Sequence, residues 1–140
     1  MLDKLERYGE WCPLILRVAL GLILIVHGYD KLFVTGVSNV AQFFSSVSIP
    51  LPMVSAWIAS IVEFVGGSFI LLGIFTRWSS LFVVVQFAVI LFLKIFKWKA
   101  PFFGANAYEL DLLIFAVALV LLIRGPGMRL ALGKLIKKKS

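Results

Sequence analysis

Glu63 is the residue whose position demands chemistry. It lies near the middle of an apolar run from about Met53 to Phe75. A bare carboxylate in a bilayer centre costs about 2.5 kcal/mol or more on any scale, so such residues turn inward. Ala59, Ser60, Gly66 and Gly67 share its helix face, and that small-residue face lets another helix approach. Two readings satisfy this: a carboxyl that binds ligand or handles protons, and a structural ion pair that fixes helix register. A second group is His27, Asp30 and Lys31, whose separations of three and four put them on one helix face. His27 can bond a quinone oxygen, relay a proton, ligate a metal or simply pack. Lys31 can reach inward or snorkel to the membrane surface. Asp111 opens a further apolar run, and Glu109 beside it suits a helix start. Arg17, Gln86 and Lys94 are secondary candidates: Arg17 and Lys94 near helix edges, Gln86 for a bond across helices.

Other chemistries are poorly supplied. With a single His and a single Cys, no metal site is expected. Cys12 has no CxxC partner for thiol–disulfide exchange. Gly125-Pro126-Gly127 reads as a helix stop, not a phosphate loop. No cofactor site is evident, and a bound quinone is the ligand the polar groups suggest.

The elements that carry these residues follow from composition. The chain has 140 residues, is 61% hydrophobic and 15% charged, and has a mean hydropathy of +1.03. Soluble domains carry about 25% charge. Apolar runs rich in Leu, Ile, Val and Phe, without alternation, predict helices rather than barrel strands. The expected fold is all-α: a polytopic membrane protein with a four-transmembrane-helix bundle in a single domain, residues 1–140. The spans fall at 14–34, 53–75, 79–96 and 108–124. The last is weakest, because its apolar stretch from Leu110 to Ile123 reaches only about 21 Å. Residues 35–52 are expected to hold a short outer interfacial helix near Asn39 to Phe44, ended by Pro50 and Pro52. Thr76–Arg77 is read as the tight turn between the second and third spans.

Lys4, Arg7, Arg17, Arg77, Arg124 and the basic segment after Gly127 fall on one side of such a bundle. Lys31, Lys94, Lys97 and Lys99 fall on the other. The excess predicts both termini cytoplasmic in a bacterial or archaeal inner (plasma) membrane, with residues 128–140 as a basic tail. The net charge of +7 is scattered or terminal, which suits a lipid surface and no nucleic acid. Gly21 and Gly28 are seven apart, as are Gly66 and Gly73, so each pair is a candidate packing seam. His27, Asp30, Lys31, Glu63 and Asp111 would then converge on a shared pocket opening outward, walled by Trp57, Phe64 and Phe115.

The segments Arg17-Val-Ala-Leu-Gly21, His27-Gly-Tyr-Asp-Lys-Leu-Phe33, Glu63 with Gly66-Gly67, Leu71 to Arg77, Glu109-Leu-Asp111 and Arg124-Gly-Pro-Gly127 occur in order. Together they resemble the DoxX family of small membrane proteins. The resemblance implies four membrane helices. It also implies kinship with the DoxX/DoxD subunits of thiosulfate:quinone oxidoreductase, and it aligns Lys31, Glu63, Arg77 and Asp111 with the family's polar positions. Three functions follow as expectations. The first is a quinone- or sulfur-redox-associated subunit with a redox protein partner. The second is a non-catalytic scaffold or assembly partner. The third is a small proton-coupled carrier, for which a homodimer would double the helices. Whether the chain is itself an enzyme is left open by its residues.

Overall fold

A computed structural model describes residues 2–139, and every regular element among them is helical. Short 3₁₀ segments at Leu2–Lys4 and Glu6–Trp11 lead into α1, Cys12–Tyr29. Pro13 sits in its first turn, where a missing N–H costs nothing. α1 widens into a π-turn at Asp30–Val34. Helix α2, Val37–Ser46, packs on the start of the second span through Val37, Val40, Ala41 and Ala56. The expected connection helix is therefore present and longer than the Asn39–Phe44 core of the prediction.

The second span is α3, Pro52–Ile61, a π-turn at Val62–Gly66, and α4, Gly67–Leu72. It ends earlier than expected. Gly73 adopts the left-handed conformation (φ 70°) that closes the helix, and Phe75 is also left-handed. Thr76 and Arg77 are thus the first turn of α5, Thr76–Phe92, and not a loop. A third π-turn, Leu93–Lys97, ends that span. Then come α6, Glu109–Arg124, and α7, Leu132–Lys139.

Three continuous helical stretches are long and apolar enough to cross a bilayer: Glu6–Val34, Pro52–Leu72 and Thr76–Lys97. α6 is shorter, with 16 residues. At 1.5 Å per residue it covers about 24 Å, and it packs along α5 and α1. The core between these four is Leu20, Leu24, Ile70, Val83, Phe87, Ile114, Ala118 and Leu121. The outside is also apolar: Val26, Ile58, Phe82, Val89, Leu113 and Ile123 are all exposed. So large a contiguous apolar surface has lipid as its natural solvent.

Glycine sets the closest helix contact. A Cβ on Gly21 would lie 2.8 Å from Leu71 Cβ, and one on Gly67 2.8 Å from Leu24 Cβ. A Cβ on Gly28 would overlap the backbone nitrogen of Phe64. The seam is therefore Gly21 against Gly67, with Gly28 against the backbone of Phe64. Gly66, expected in a seam, has only Ser79 Cβ at 4.0 Å, and Gly73 is a helix terminator beside Arg17. The basic tail is also different from a free tail. Ala131 is buried, and Gly133 N–H bonds Gly73 O at 3.3 Å, which docks the start of α7 on the α4–α5 turn.

Candidate functional site

Glu63 lies at the second position of the π-turn in the second span and is 1% exposed. Lys31 occupies the equivalent second position of the π-turn that ends α1. The ammonium meets both carboxylate oxygens at 2.5 Å. Gln86, from the middle of α5, donates Nε2–H to Glu63 Oε1 at 2.7 Å. One carboxylate therefore ties together α1, the second span and α5. The Gly28 seam makes this reach possible, because it brings α1 onto the backbone of Phe64, the residue after Glu63. Phe33 packs edge-on to Phe64 at 5.9 Å.

The amide of Gln86 is oriented by this contact. An ionised carboxylate only accepts, so Gln86 must present its nitrogen. Its Oε1 is then left buried with no hydrogen-bond partner. A buried acceptor in that state costs about 1–3 kcal/mol. Gln86 also lines a crevice of about 260 Å³ between α3 and α5, walled by Phe44, Ile58, Phe82, Val85 and Val89.

A second ion pair forms apart from the first. Lys94, again second in its π-turn, reaches Asp111 Oδ2 at 2.6 Å and the Ala107 carbonyl at 3.0 Å. Asp111 sits in the first turn of α6, where the helix dipole favours a carboxylate. The single pocket expected from sequence is thus two clusters: Lys31–Glu63–Gln86, and Lys94–Asp111.

His27 and Asp30 join neither. Both are exposed. His27 Nδ1 lies 2.8 Å from its own helix's Ile23 carbonyl, and Thr35 Oγ1 donates to Asp30 Oδ2 at 2.8 Å. The face of α1 that meets the bundle is centred on Leu24 and Gly28, so Lys31 lies on it and His27 flanks it. Trp57 is likewise exposed, whereas Phe64 and Phe115 are half-buried. Glu109 is the exposed first residue of α6.

Arg17, a secondary candidate, is the largest fully buried side chain. Its five N–H donors meet five backbone carbonyls. Nε bonds Ile70 O at 3.0 Å, Nη2 bonds Leu71 O and Leu130 O at 3.0 Å, and Nη1 bonds Pro126 O and Arg129 O at 3.1 Å. It closes the end of α4 and pins the segment after α6. The Ile70 and Leu71 carbonyls belong to the last turn of α4, where a helix leaves C=O groups without intrahelical partners, and the other three belong to the segment between α6 and α7. Arg77 makes one comparable bond, to Ile123 O at 3.3 Å near the end of α6.

The sequence profile of the DoxX family matches residues 12–95, from the start of α1 into the π-turn that carries Lys94. The chain belongs to the DoxX family. Lys31, Glu63, Gln86, Lys94 and Arg17 lie within the matched part of this DoxX protein, and Asp111 lies beyond it. It is 36% identical over 109 residues to the Bacillus subtilis (strain 168) protein named "Putative oxidoreductase CatD", covering 77% of this chain and 76% of that one. It is 31% identical over 144 residues to "Inner membrane protein YqjF" of Escherichia coli (strain K12), covering 99% of each. To "Inner membrane protein YphA" of the same organism it is 39% identical over 64 residues, covering 46% of this chain and 44% of that one. No solved structure matches the chain. With its apolar helices, this makes the protein a multi-pass membrane protein in contact with the lipid bilayer.

Proposed function

We propose that this DoxX protein is the quinone-handling membrane component of a redox system, and that the crevice between α3 and α5 receives the quinone ring. The observation that carries this is the unpartnered Oε1 of Gln86, held by the Lys31–Glu63 pair on a residue that lines a lipid-facing apolar crevice. An apolar cavity of about 150 Å³ accommodates a benzene ring, so 260 Å³ suffices for a substituted quinone ring. Oε1 can only accept. A quinol hydroxyl would satisfy it, and a quinone carbonyl would not. The site therefore favours the reduced ligand. The apolar lining disfavours a free sulfur oxyanion, which would lose its hydration there. The quinone would supply two-electron, two-proton chemistry. This chain's residues hold and orient the ring and keep polar groups at mid-membrane, and a partner protein donates or accepts the electrons. The name carried by the Bacillus subtilis relative points the same way.

The test is equilibrium binding of a short-chain quinol and of its quinone to purified protein in lipid nanodiscs. Wild type should prefer the quinol. Gln86→Leu should weaken quinol binding by about 10-fold, the worth of one hydrogen bond near 1.4 kcal/mol, and leave quinone binding little changed. Equal affinities for the two forms, unaltered in Gln86→Leu, would refute the assignment.

One observation favours a second reading. Glu63 joins three helical stretches, which is also what a purely structural register lock would do. A non-catalytic scaffold would bind neither form of the ligand, and Glu63→Gln would then reduce recovery of a partner complex only.

A further inference from the structure

At the end of the bundle that carries both termini, α7 and the α4–α5 turn enclose a cleft of about 600 Å³. Arg77, Lys134 and Lys137 line it, and no acidic residue among the described ones does. The floor is the N-terminus of α5, a 17-residue helix whose N-cap, Phe75, makes no side-chain capping bond. Its first N–H groups have no partner within the helix, and the helix dipole places positive potential there. Thr76 is the first residue of that helix, lines the cleft and is 2% exposed, yet its hydroxyl has no hydrogen-bond partner. Lys134 spends its ammonium on the thioether of Met128 at 2.9 Å, a weak acceptor. Cations, helix N–H groups and an unpaired hydroxyl together call for an oxyanion with several acceptor oxygens.

The surroundings say which carrier brings it. Phe75 and Trp78 wall the cleft and are 66% and 65% exposed. The same two side chains begin a second, nearly all-apolar groove of about 390 Å³ that runs between Val62, Phe69 and Phe82 on the lipid-facing side of the second span and α5. An anion site that opens into an apolar groove between two membrane helices has the chemistry of a phospholipid, head and tail.

We propose that this cleft binds the phosphate of an anionic phospholipid from the leaflet nearest the termini, with one acyl chain in the adjoining groove. Arg77, Lys134 and Lys137 neutralise the head group, Thr76 and the α5 N-terminus donate hydrogen bonds to it, and Trp78 and Phe75 flank the glycerol region. α7 then serves as a basic lid held on the membrane by its lipid. The anion cleft shares no lining residue with the quinone crevice, whereas the acyl groove meets that crevice at Val62 and Phe82; the lipid assignment stands without a quinone.

The experiment is native mass spectrometry of the delipidated full-length protein, titrated with phosphatidylglycerol or phosphatidylcholine of identical acyl chains. Phosphatidylglycerol should bind at least 10-fold more tightly. The double variant Lys134→Gln/Lys137→Gln should bring the two lipids close to parity. Arg7→Gln/Lys138→Gln removes the same charge from outside the cleft and should leave the preference intact. Thr76→Val, nearly isosteric, should weaken phosphatidylglycerol binding, because the phosphate loses one donor. Soluble glycerol phosphate at the same concentration should fail to displace the lipid, because it lacks the chain that fills the groove. Equal binding of the two lipids, equal losses in both double variants, or displacement by glycerol phosphate would overturn the proposal.

Discussion

Arg17→Lys is the substitution whose cost can be worked out most completely. The guanidinium places five donors on five carbonyls, from Ile70 and Leu71 at the end of α4 and from Pro126, Arg129 and Leu130 after α6. Lysine keeps the charge but has three donors on a tetrahedral nitrogen. At least two of the five bonds are then lost around a side chain that is 1% exposed, and because the Ile70 carbonyl keeps the Gly73 N–H at 3.1 Å, one or two carbonyls lose their partner. At about 1–3 kcal/mol for each unsatisfied buried group, the loss is about 1–6 kcal/mol. Arg17→Met removes all the donors and should cost more. Arg77→Lys gives the contrast, because it risks one 3.3 Å bond at an exposed position and should cost less than about 1 kcal/mol. Reversible unfolding in detergent, followed by circular dichroism against denaturant, gives the order. Proteolysis of the segment after Gly125 should accelerate in the Arg17 variants, because three of the five bonds hold that segment. An Arg17→Lys protein within about 0.5 kcal/mol of wild type, with the same proteolysis rate, would refute the reasoning, since ordinary surface substitutions lie in that range.

Further outcomes are expected. Gly28→Ala should destabilise by about 1–3 kcal/mol by pushing α1 off the Phe64 backbone, whereas Gly66→Ala, beside open space, should be near neutral; parallel thermal melts compare them. Lys94→Met leaves Asp111 without its cation in a half-buried site and should cost about 1–3 kcal/mol, most of it recovered in Lys94→Met/Asp111→Leu; unfolding midpoints of the two variants check this. Lys31→Met strands a buried carboxylate and should cost about 3–5 kcal/mol, with recovery when Glu63→Leu is added; a double-mutant cycle reads the coupling.

The helices were legible because lipid imposes a simple rule on composition, and Leu, Ile, Val and Phe dominate each run. Glu63 was legible for the same reason: Ala59, Ser60, Gly66 and Gly67 lie at helical spacing around it, and all but the half-buried Gly66 are buried. The π-turns were not legible. Each adds a residue to one turn and swings Lys31, Glu63 or Lys94 towards the bundle, and no residue type marks it; the only trace is a charge in an apolar helix near a phase slip. Spacing groups His27 and Asp30 with Lys31 because it reports which residues share a face but not where the centre of the buried face lies. Gly28 fixes that centre, and only the partner helix reveals it. Arg17 was underrated for a related reason. Its partners are backbone carbonyls, which have no sequence signature beyond the Gly73 and Gly125-Pro126-Gly127 helix stops that expose them. The segment after Gly127 reads as a basic tail because what anchors it, the Arg17 bonds to the Arg129 and Leu130 carbonyls, buried Ala131 and the Gly133–Gly73 bond, engages its backbone and a small apolar side chain.

Lys31 and Gln86 hold the Glu63 carboxylate inside the apolar bundle. Infrared difference spectroscopy of wild type against Glu63→Gln, in bilayers at neutral pH, tests this arrangement most directly. The lost absorption should be that of an ionised carboxylate, and the band should move in Lys31→Met and Gln86→Leu. Loss of a protonated carboxyl carbonyl band instead, indifferent to both substitutions, would contradict it.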